Sequence, residues 1–404
     1  MKLLSRLAFR NLIRNRRHTA LTVAIVALGT WSIVVIWGLT DGSIDSMLDA
    51  QISLDTGSLQ IHQQGYLDDP NLDAVFSPAQ LEKLDAILKR YGQVKHWSAR
   101  LVSEGLLKSA YGSQGVTIRG INPLLESQVT EVAQVVDGRY LAGPGDVLFG
   151  RALAKKLDVR LGERVVLEAQ GIKRTRSKGL RLVGVIHTGL TLLDQRTVFV
   201  QLEDAQTLTD VQGASEIAIS LAAGVDVRNF SNTLQTVLGN DVEVSSFYDL
   251  NPIVADFVKI SRFEMMPTML LLAVLAGFGV ANTITFTVLK RIREFGVILS
   301  LGLGPKQLSR MIVLESLFIS GIGFVIGAVV GYALNFYLEQ VGIDYGFYND
   351  VFPDLGMPQV LYAKVMVSHG LYALGVVVVT ALVAARYPAR RAARLEPTEA
   401  MRFA

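Results

Sequence analysis

Few residues in this chain are placed to make or break bonds. Its five histidines, His18, His62, His96, His187 and His369, share no ligand spacing, and there is no cysteine to supply a thiolate, a disulfide or a nucleophile. No G-x-x-x-x-G-K-[ST] loop is present to cradle nucleotide phosphates, and neither H-E-x-x-H nor G-x-S-x-G occurs. The basic run Lys173-Arg174-Thr175-Arg176-Ser177-Lys178 reads as a solvated hairpin tip rather than a nucleic-acid contact. The chemistry therefore points to a protein that moves or holds something, with no metal and no catalytic site of its own.

Two stretches suit such work. Lys290–Arg310 (KRIREFGVILSLGLGPKQLSR) holds charges, then apolar Phe295, Val297, Ile298, Leu299 and Leu301, then a break at Gly302-Leu303-Gly304-Pro305. A solvated connector of this size would not need those apolar residues, so a short amphipathic helix docking into a partner's groove is expected. Gly323, Gly327 and Gly331 form overlapping G-x-x-x-G units, which let helix backbones approach closely in lipid, within the chain or between protomers.

The elements that must carry these residues are membrane spans. Half of the residues are apolar and the mean hydropathy is +0.37, with long charge-free stretches alternating with ordinary mixed-charge sequence. About 20 apolar residues cross the hydrocarbon, and four segments qualify: 18–40, 267–289, 311–338 and 365–385. The first is too long for a cleaved signal peptide, and no A-x-A site follows it. Pro267 is expected at the start of the second span, where proline is best tolerated.

Lys2, Arg6, Arg10, Arg14, Arg16 and Arg17 precede the first span, basic residues fill the 290–310 loop, and Arg386, Arg390, Arg391 and Arg394 follow the last span. The other flanks are acidic or neutral. The positive-inside rule then places both termini and the 290–310 loop in the cytoplasm. Residues 1–17 are expected to form an interfacial helix, 339–364 an outer loop and 386–404 a cytoplasmic tail.

Residues 41–266 are expected outside, mostly as an α+β domain. Ser77-Pro78-Ala79-Gln80 opens a helix, and Gly115–Ile121, Arg164–Glu168 and Arg181–Ile186 alternate as strands do. Asp226–Leu238 reads as a helix and Asp241–Phe247 as a strand. This order suggests a β-α-β unit at each end, over about 52–124 and 196–248, around a β-rich insert over about 125–195. Asn251–Met266 is expected to run on as a helix into the second span.

The segment Arg293-Glu294-Phe295-Gly296-Val297 … Leu301-Gly302 … Gln307 … Arg310 … Leu314-Glu315 resembles the signature of the FtsX/MacB class of ABC-transporter permeases. The tail Tyr387-Pro388-Ala389-Arg390-Arg391-Ala392-Ala393 … Glu396-Pro397-Thr398-Glu399-Ala400-Met401-Arg402 is similar to that family's ending. Gly145–Gly162 and Leu182–Leu208 resemble lipoprotein-releasing permeases of the LolC/LolE type more than the macrolide exporter. The long connection between the third and fourth spans, with Tyr345–Pro353, departs from that pattern.

The resemblance implies an integral membrane α-helical protein of the MacB/FtsX-like type VII permease fold, with four spans and a large α+β extracytoplasmic domain, in a bacterial inner membrane. It implies two permease copies, identical or paralogous, above two copies of a separate ABC ATPase that binds the ATP and Mg. A periplasmic lipoprotein chaperone or adaptor and membrane lipid are further implied partners. Arg293, Glu294, Phe295, Gly296, Leu299 and Gly302 would form the coupling helix. Acyl chains would enter between spans one and two, along Trp31, Val34, Val35, Trp37, Met265, Met266, Met269 and Leu270. Extraction of lipoproteins or other lipid-anchored cargo from the outer leaflet is the leading expectation. A MacB-like exporter driven by mechanotransmission and an FtsX-like scaffold activating an outside hydrolase are the alternatives.

Overall fold

The computed structural model describes residues 16–300, 302–344 and 360–394. The interfacial helix expected over 1–17 falls almost wholly outside these residues, as do Tyr345–Pro353 and the Glu396–Arg402 end of the tail. The described residues divide into a helical unit, within 16–44, 258–343 and 361–394, and a second unit, residues 45–257 with 344 and 360.

In the second unit the chain leaves helix α1 (Arg16–Gln51) through one π-helical turn, Ile52–Thr56. Strand β1 (Leu59–Gln63), helix α2 (Pro78–Leu88) and strand β2 (Val94–Lys108) follow. The α2 helix starts as its sequence dictates, with Pro78 in the first turn and Gln80 closing a capping box on Ser77. Near the other end of the unit come β9 (Glu216–Leu221), α7 (Val227–Leu238, capped by the Asp226 carboxylate) and β10 (Val242–Ser246). These strands pair antiparallel in the order β10-β1-β9-β2. The two β-α-β ends therefore interleave in a single split arrangement, with Leu59, Ile61, Leu88, Ile217, Ile219 and Leu234 in its core.

Between these ends lie β3 (Ser113–Ile121), α3 (Pro123–Val129), β4 (Val136–Gly138), β5 (Asp146–Gly150), α4 (Arg151–Lys156), β6 (Arg164–Gln170), β7 (Thr175–Ile186), α5 (Thr191–Arg196), β8 (Thr197–Gln201) and α6 (Leu202–Thr209). The pairings run β2-β3-β8-β5-β7-β6 and return to β2, closing a barrel. Closure removes the free edges that an open sheet would expose. Val116, Ile118, Val147, Phe149, Leu167, Leu182 and Val198 fill its interior.

The barrel draws on β3 and on the second half of β2, so the β-rich lobe starts before the expected 125 and runs past 195. Gly105 marks the corner where β2 meets β3 on one side and β6 on the other. A Cβ there would lie 2.5 Å from Ile118 Cδ1 and 2.6 Å from the Glu168 carbonyl oxygen, so glycine is required. In the basic run, residues 171–174 form the turn between β6 and β7, while Arg176 and Lys178 sit in β7, paired with Asp210 and Asp204.

After α8 (Phe247–Leu250) the helical unit contains α9 (Pro252–Lys290), α10 (Ile292–Ser300), α11 (Pro305–Val341) and α12 (Val367–Ala393). Among the described residues, four helices are long and apolar enough to cross a membrane, with peak mean hydropathies of 2.2, 2.0, 2.2 and 2.0 in chain order. Pro267, expected at a helix start, lies inside α9. The helix runs through it because the flanking sequence favours helix on both sides, despite the missing N–H and the ring's clash with the Phe263 carbonyl.

Candidate functional site

The glycines of α11 settle against span one of the same chain. A Cβ on Gly323 would stand 2.7 Å from Val26 Cβ, one on Gly327 2.3 Å from the Ala27 carbonyl oxygen, and one on Gly331 3.0 Å from Val34 Cβ. Backbone contact at this distance admits no side chain, so the G-x-x-x-G pattern serves packing within the chain. Asn335 Nδ2 adds a hydrogen bond to the Val34 carbonyl at 2.9 Å, and Ser316 Oγ one to the Ala381 carbonyl at 3.3 Å.

At the other end of the bundle, α10 is held by its own apolar stripe. Phe295 is 1% exposed and packs with Val288, Leu308, Met311, Ile312 and Ala389. Ile292 and Gly296 are buried beside it, and Leu299 is half-buried. Arg291 ties the helix down further: its Nε donates to Glu294 Oε2 at 3.0 Å, an Nη to Glu315 Oε2 at 3.4 Å, and its guanidinium lies 4.9 Å from the Phe295 ring centre.

The stripe expected to dock on a partner thus docks on the bundle. What α10 presents outward is Arg293, Glu294, Val297 (45% exposed) and Ser300. Gly302 lies just past the end of α10 at φ +97°, a conformation that favours glycine.

The residues expected to line an acyl path separate into two groups. Val34 and Val35 are buried, Val34 against Gly331, and so belong to the span one–span three contact. Trp31, Trp37, Met265 and Met269 are half-buried; Trp37 Nε1 meets Met269 Sδ at 3.2 Å, and Thr40 Oγ1 meets Met265 Sδ at 3.8 Å. Met266 and Leu270 are 73% and 66% exposed.

Sequence reasoning missed their neighbours. Phe263, Val274 and Phe278 continue the same exposed stripe of α9 at helical spacing. Val274 and Phe278 also line an apolar groove of about 340 Å³ with Val379 and Val383 of α12. The three- and four-residue spacing was the available signal.

The second unit hides a charged network that no motif announced. Arg100, fully buried on β2, donates to both oxygens of Glu126 on α3 at 3.0 and 2.6 Å and to Glu216 on β9 at 2.7 Å. Arg100 is the residue of β2 that pairs with both β9 and β3, so the network fastens the barrel to the split β-α-β half. Burial opposes the charge on Glu126, and the Arg100 guanidinium outweighs it, holding the carboxyl below its ordinary range. Burial likewise opposes the charge on Glu216, which is held below its ordinary range by the nearby His62 imidazole and by Arg100. Among the described residues, no three His, Asp or Glu side chains gather as metal ligands would.

Two family models match this chain: an FtsX-like permease C-terminal domain over residues 268–397 and a MacB-like periplasmic core domain over residues 19–237. The chain is 24% identical to the lipoprotein-releasing system transmembrane protein LolC of Neisseria meningitidis serogroup B, covering 95% of this chain and 94% of that one. It is 25% identical to LolC of Xylella fastidiosa, covering 74% and 76%. The solved periplasmic region of MacB from Actinobacillus actinomycetemcomitans is also similar, with 13% identity, a TM-score of 0.35, and coverage of 52% of this chain and 97% of that one. Its bundle of apolar spans, its α+β domain and the two matched models show that this chain belongs to the FtsX/MacB family of ABC-transporter permeases.

Proposed function

We propose that the chain is the permease subunit of a machine that extracts lipoproteins, or other lipid-anchored cargo, from the outer leaflet of a bacterial inner membrane. The observation that carries this reading is similarity to LolC along 95% of the chain, which includes both the spans and the outer domain. ATP is hydrolysed by a separate ATPase bound beneath the 290–310 loop. Both termini and that loop face the cytoplasm, as the basic flanks favour, and the α+β domain faces the periplasm. Two permease copies meet two ATPases.

In this reading α10 transmits force through two faces. Phe295 and Gly296 fasten it to the bundle, while Arg293, Glu294 and Val297 meet the ATPase. The exposed stripe Phe263–Met266–Leu270–Val274–Phe278 supplies an apolar surface along which an acyl chain is drawn from lipid. Binding of soluble substrates alone would favour the MacB-like export reading.

Val297→Asp places a carboxylate on the docking face without touching the bundle, and burying an unpaired charge costs several kcal/mol. We expect at least tenfold weaker ATPase association, with the helical content of the permease unchanged. Co-purification in mild detergent measures the first and circular dichroism the second; undiminished association rules out this face as the contact. Mass spectrometry of the parent complex tests the cargo. Acylated protein or lipid retained with the ATPase supports extraction, whereas an ATPase with no acylated cargo supports export.

A further inference from the structure

Span two holds an amide where lipid offers no partner. Asn282 of α9 is exposed, and it has no hydrogen-bond partner among the described residues. The hydroxyls beside it are satisfied within the helix: Thr285 Oγ1 donates to the Ala281 carbonyl at 2.7 Å, and Thr287 Oγ1 to the Thr283 carbonyl at 2.9 Å. Val280 and Ile284, two residues to either side, are buried in the bundle, so Asn282 lies on the face of α9 turned away from it. Lys290, where the span ends, is about 12 Å further along the helix. So short a side chain cannot reach water over that distance, and an unpartnered amide in hydrocarbon is costly.

The residues around it are spaced for a helical partner. Leu271, Leu275, Phe278, Asn282, Phe286 and Leu289 recur at three- and four-residue intervals along one side of α9. The apolar members are 44–72% exposed. This is the spacing by which one helix packs along another, with a single polar residue set into the apolar seam. Phe278 also ends the stripe that begins at Phe263, which lies next to this seam around the helix.

Two copies of one chain inserted in the same sense carry span two parallel and at the same depth. Related by a two-fold axis along the membrane normal, each residue of such a seam meets itself. An amide suits that encounter, because it holds both donor and acceptor and two of them satisfy each other. A carboxylate or an ammonium would instead meet its own charge. We propose that two identical copies of this chain pair through this face of span two, locked by reciprocal hydrogen bonds between their Asn282 side chains. The inference rests on the reading above that two permease copies assemble, and it assigns identical rather than paralogous ones.

The chain has no cysteine, so an introduced thiol is its only one. Leu275→Cys and Leu289→Cys place a thiol on the seam, while Val329→Cys of span three and Val379→Cys of span four place it on other exposed faces. Full-length chains oxidised in native membranes should form disulfide-linked dimers at the first two positions and not at the last two. In liposomes at graded protein-to-lipid ratio, Asn282→Leu should raise the dissociation constant of the dimer about 3- to 20-fold. Asn282→Gln, which keeps the amide, should restore it. Unchanged dissociation in Asn282→Leu, or linkage only at Val329→Cys or Val379→Cys, overturns the Asn282 lock and leaves the two-copy reading standing. A complex that contains a different permease chain beside this one overturns the identical pairing, and one whose mass holds a single permease overturns both readings.

Discussion

Arg100→Met is expected to destabilise the α+β domain by about 3–5 kcal/mol at neutral pH, the usual cost of removing one member of a buried ion pair. Methionine fills much of the same space, so the loss comes from Glu126 and Glu216, left charged and without the Arg100 guanidinium in a site that excludes water. The pH dependence identifies the cause. In the parent, both carboxyls are held below their ordinary range, so their contribution is complete at neutral pH. It declines as pH falls below about 4.3, the unfolded glutamate value.

In the variant, burial is no longer offset by the Arg100 guanidinium, so both carboxyls rise, take up protons at higher pH, and the penalty shrinks on acidification. The stability gap between parent and variant should therefore be largest near pH 7 and smallest near pH 4. Hydrogen exchange of the β2 and β9 amides in the full chain reads it. The triple change Arg100→Met, Glu126→Gln, Glu216→Gln should recover most of the loss. A gap that does not vary with pH would mean that packing, not charge, explains the effect.

Legibility in the sequence followed the range of the interaction. Spans are written in contiguous hydropathy, and the capping box at Ser77–Gln80 is a local signal, so both could be read. The barrel could not, because its closure depends on β6 returning to a β2 strand about 60 residues earlier, and alternation within a strand does not name its partner. Arg100 was invisible for the same reason: one arginine in an alternating strand looks solvent-facing until Glu126 and Glu216 are brought to it.

The coupling loop shows a subtler limit. Ile292, Phe295, Gly296 and Leu299 sit at i, i+3, i+4 and i+7, which specifies an apolar face but not the surface it covers. The face was read as a partner's and belongs to the chain's own bundle. Val34 shows the same in span one, where an apolar residue expected on a substrate wall is instead the counterpart of Gly331.

Gly327→Ile is expected to abolish the folded helical bundle. Even the first added carbon would stand 2.3 Å from the Ala27 carbonyl oxygen and 2.8 Å from Thr30 Cβ, and neither atom belongs to a side chain that can swing aside. Span one must move off span three, which also stretches the Asn335–Val34 bond, about two turns along α11. Overpacking of this kind costs about 1–3 kcal/mol where neighbours adjust, and more where the obstacle is backbone.

Gly321 provides the contrast within the same helix, because a Cβ there meets nothing within 4 Å. Gly321→Ala should be neutral or gain up to about 1 kcal/mol from helix propensity, whereas Gly327→Ala, the same chemical change six residues on, should already lower the melting temperature. Size-exclusion profiles after heating in detergent compare the three variants. If Gly327→Ala melts with Gly321→Ala, the close span one–span three contact does not hold the bundle together. If only Gly327 variants lose the monodisperse peak, that contact is the one on which the spans assemble.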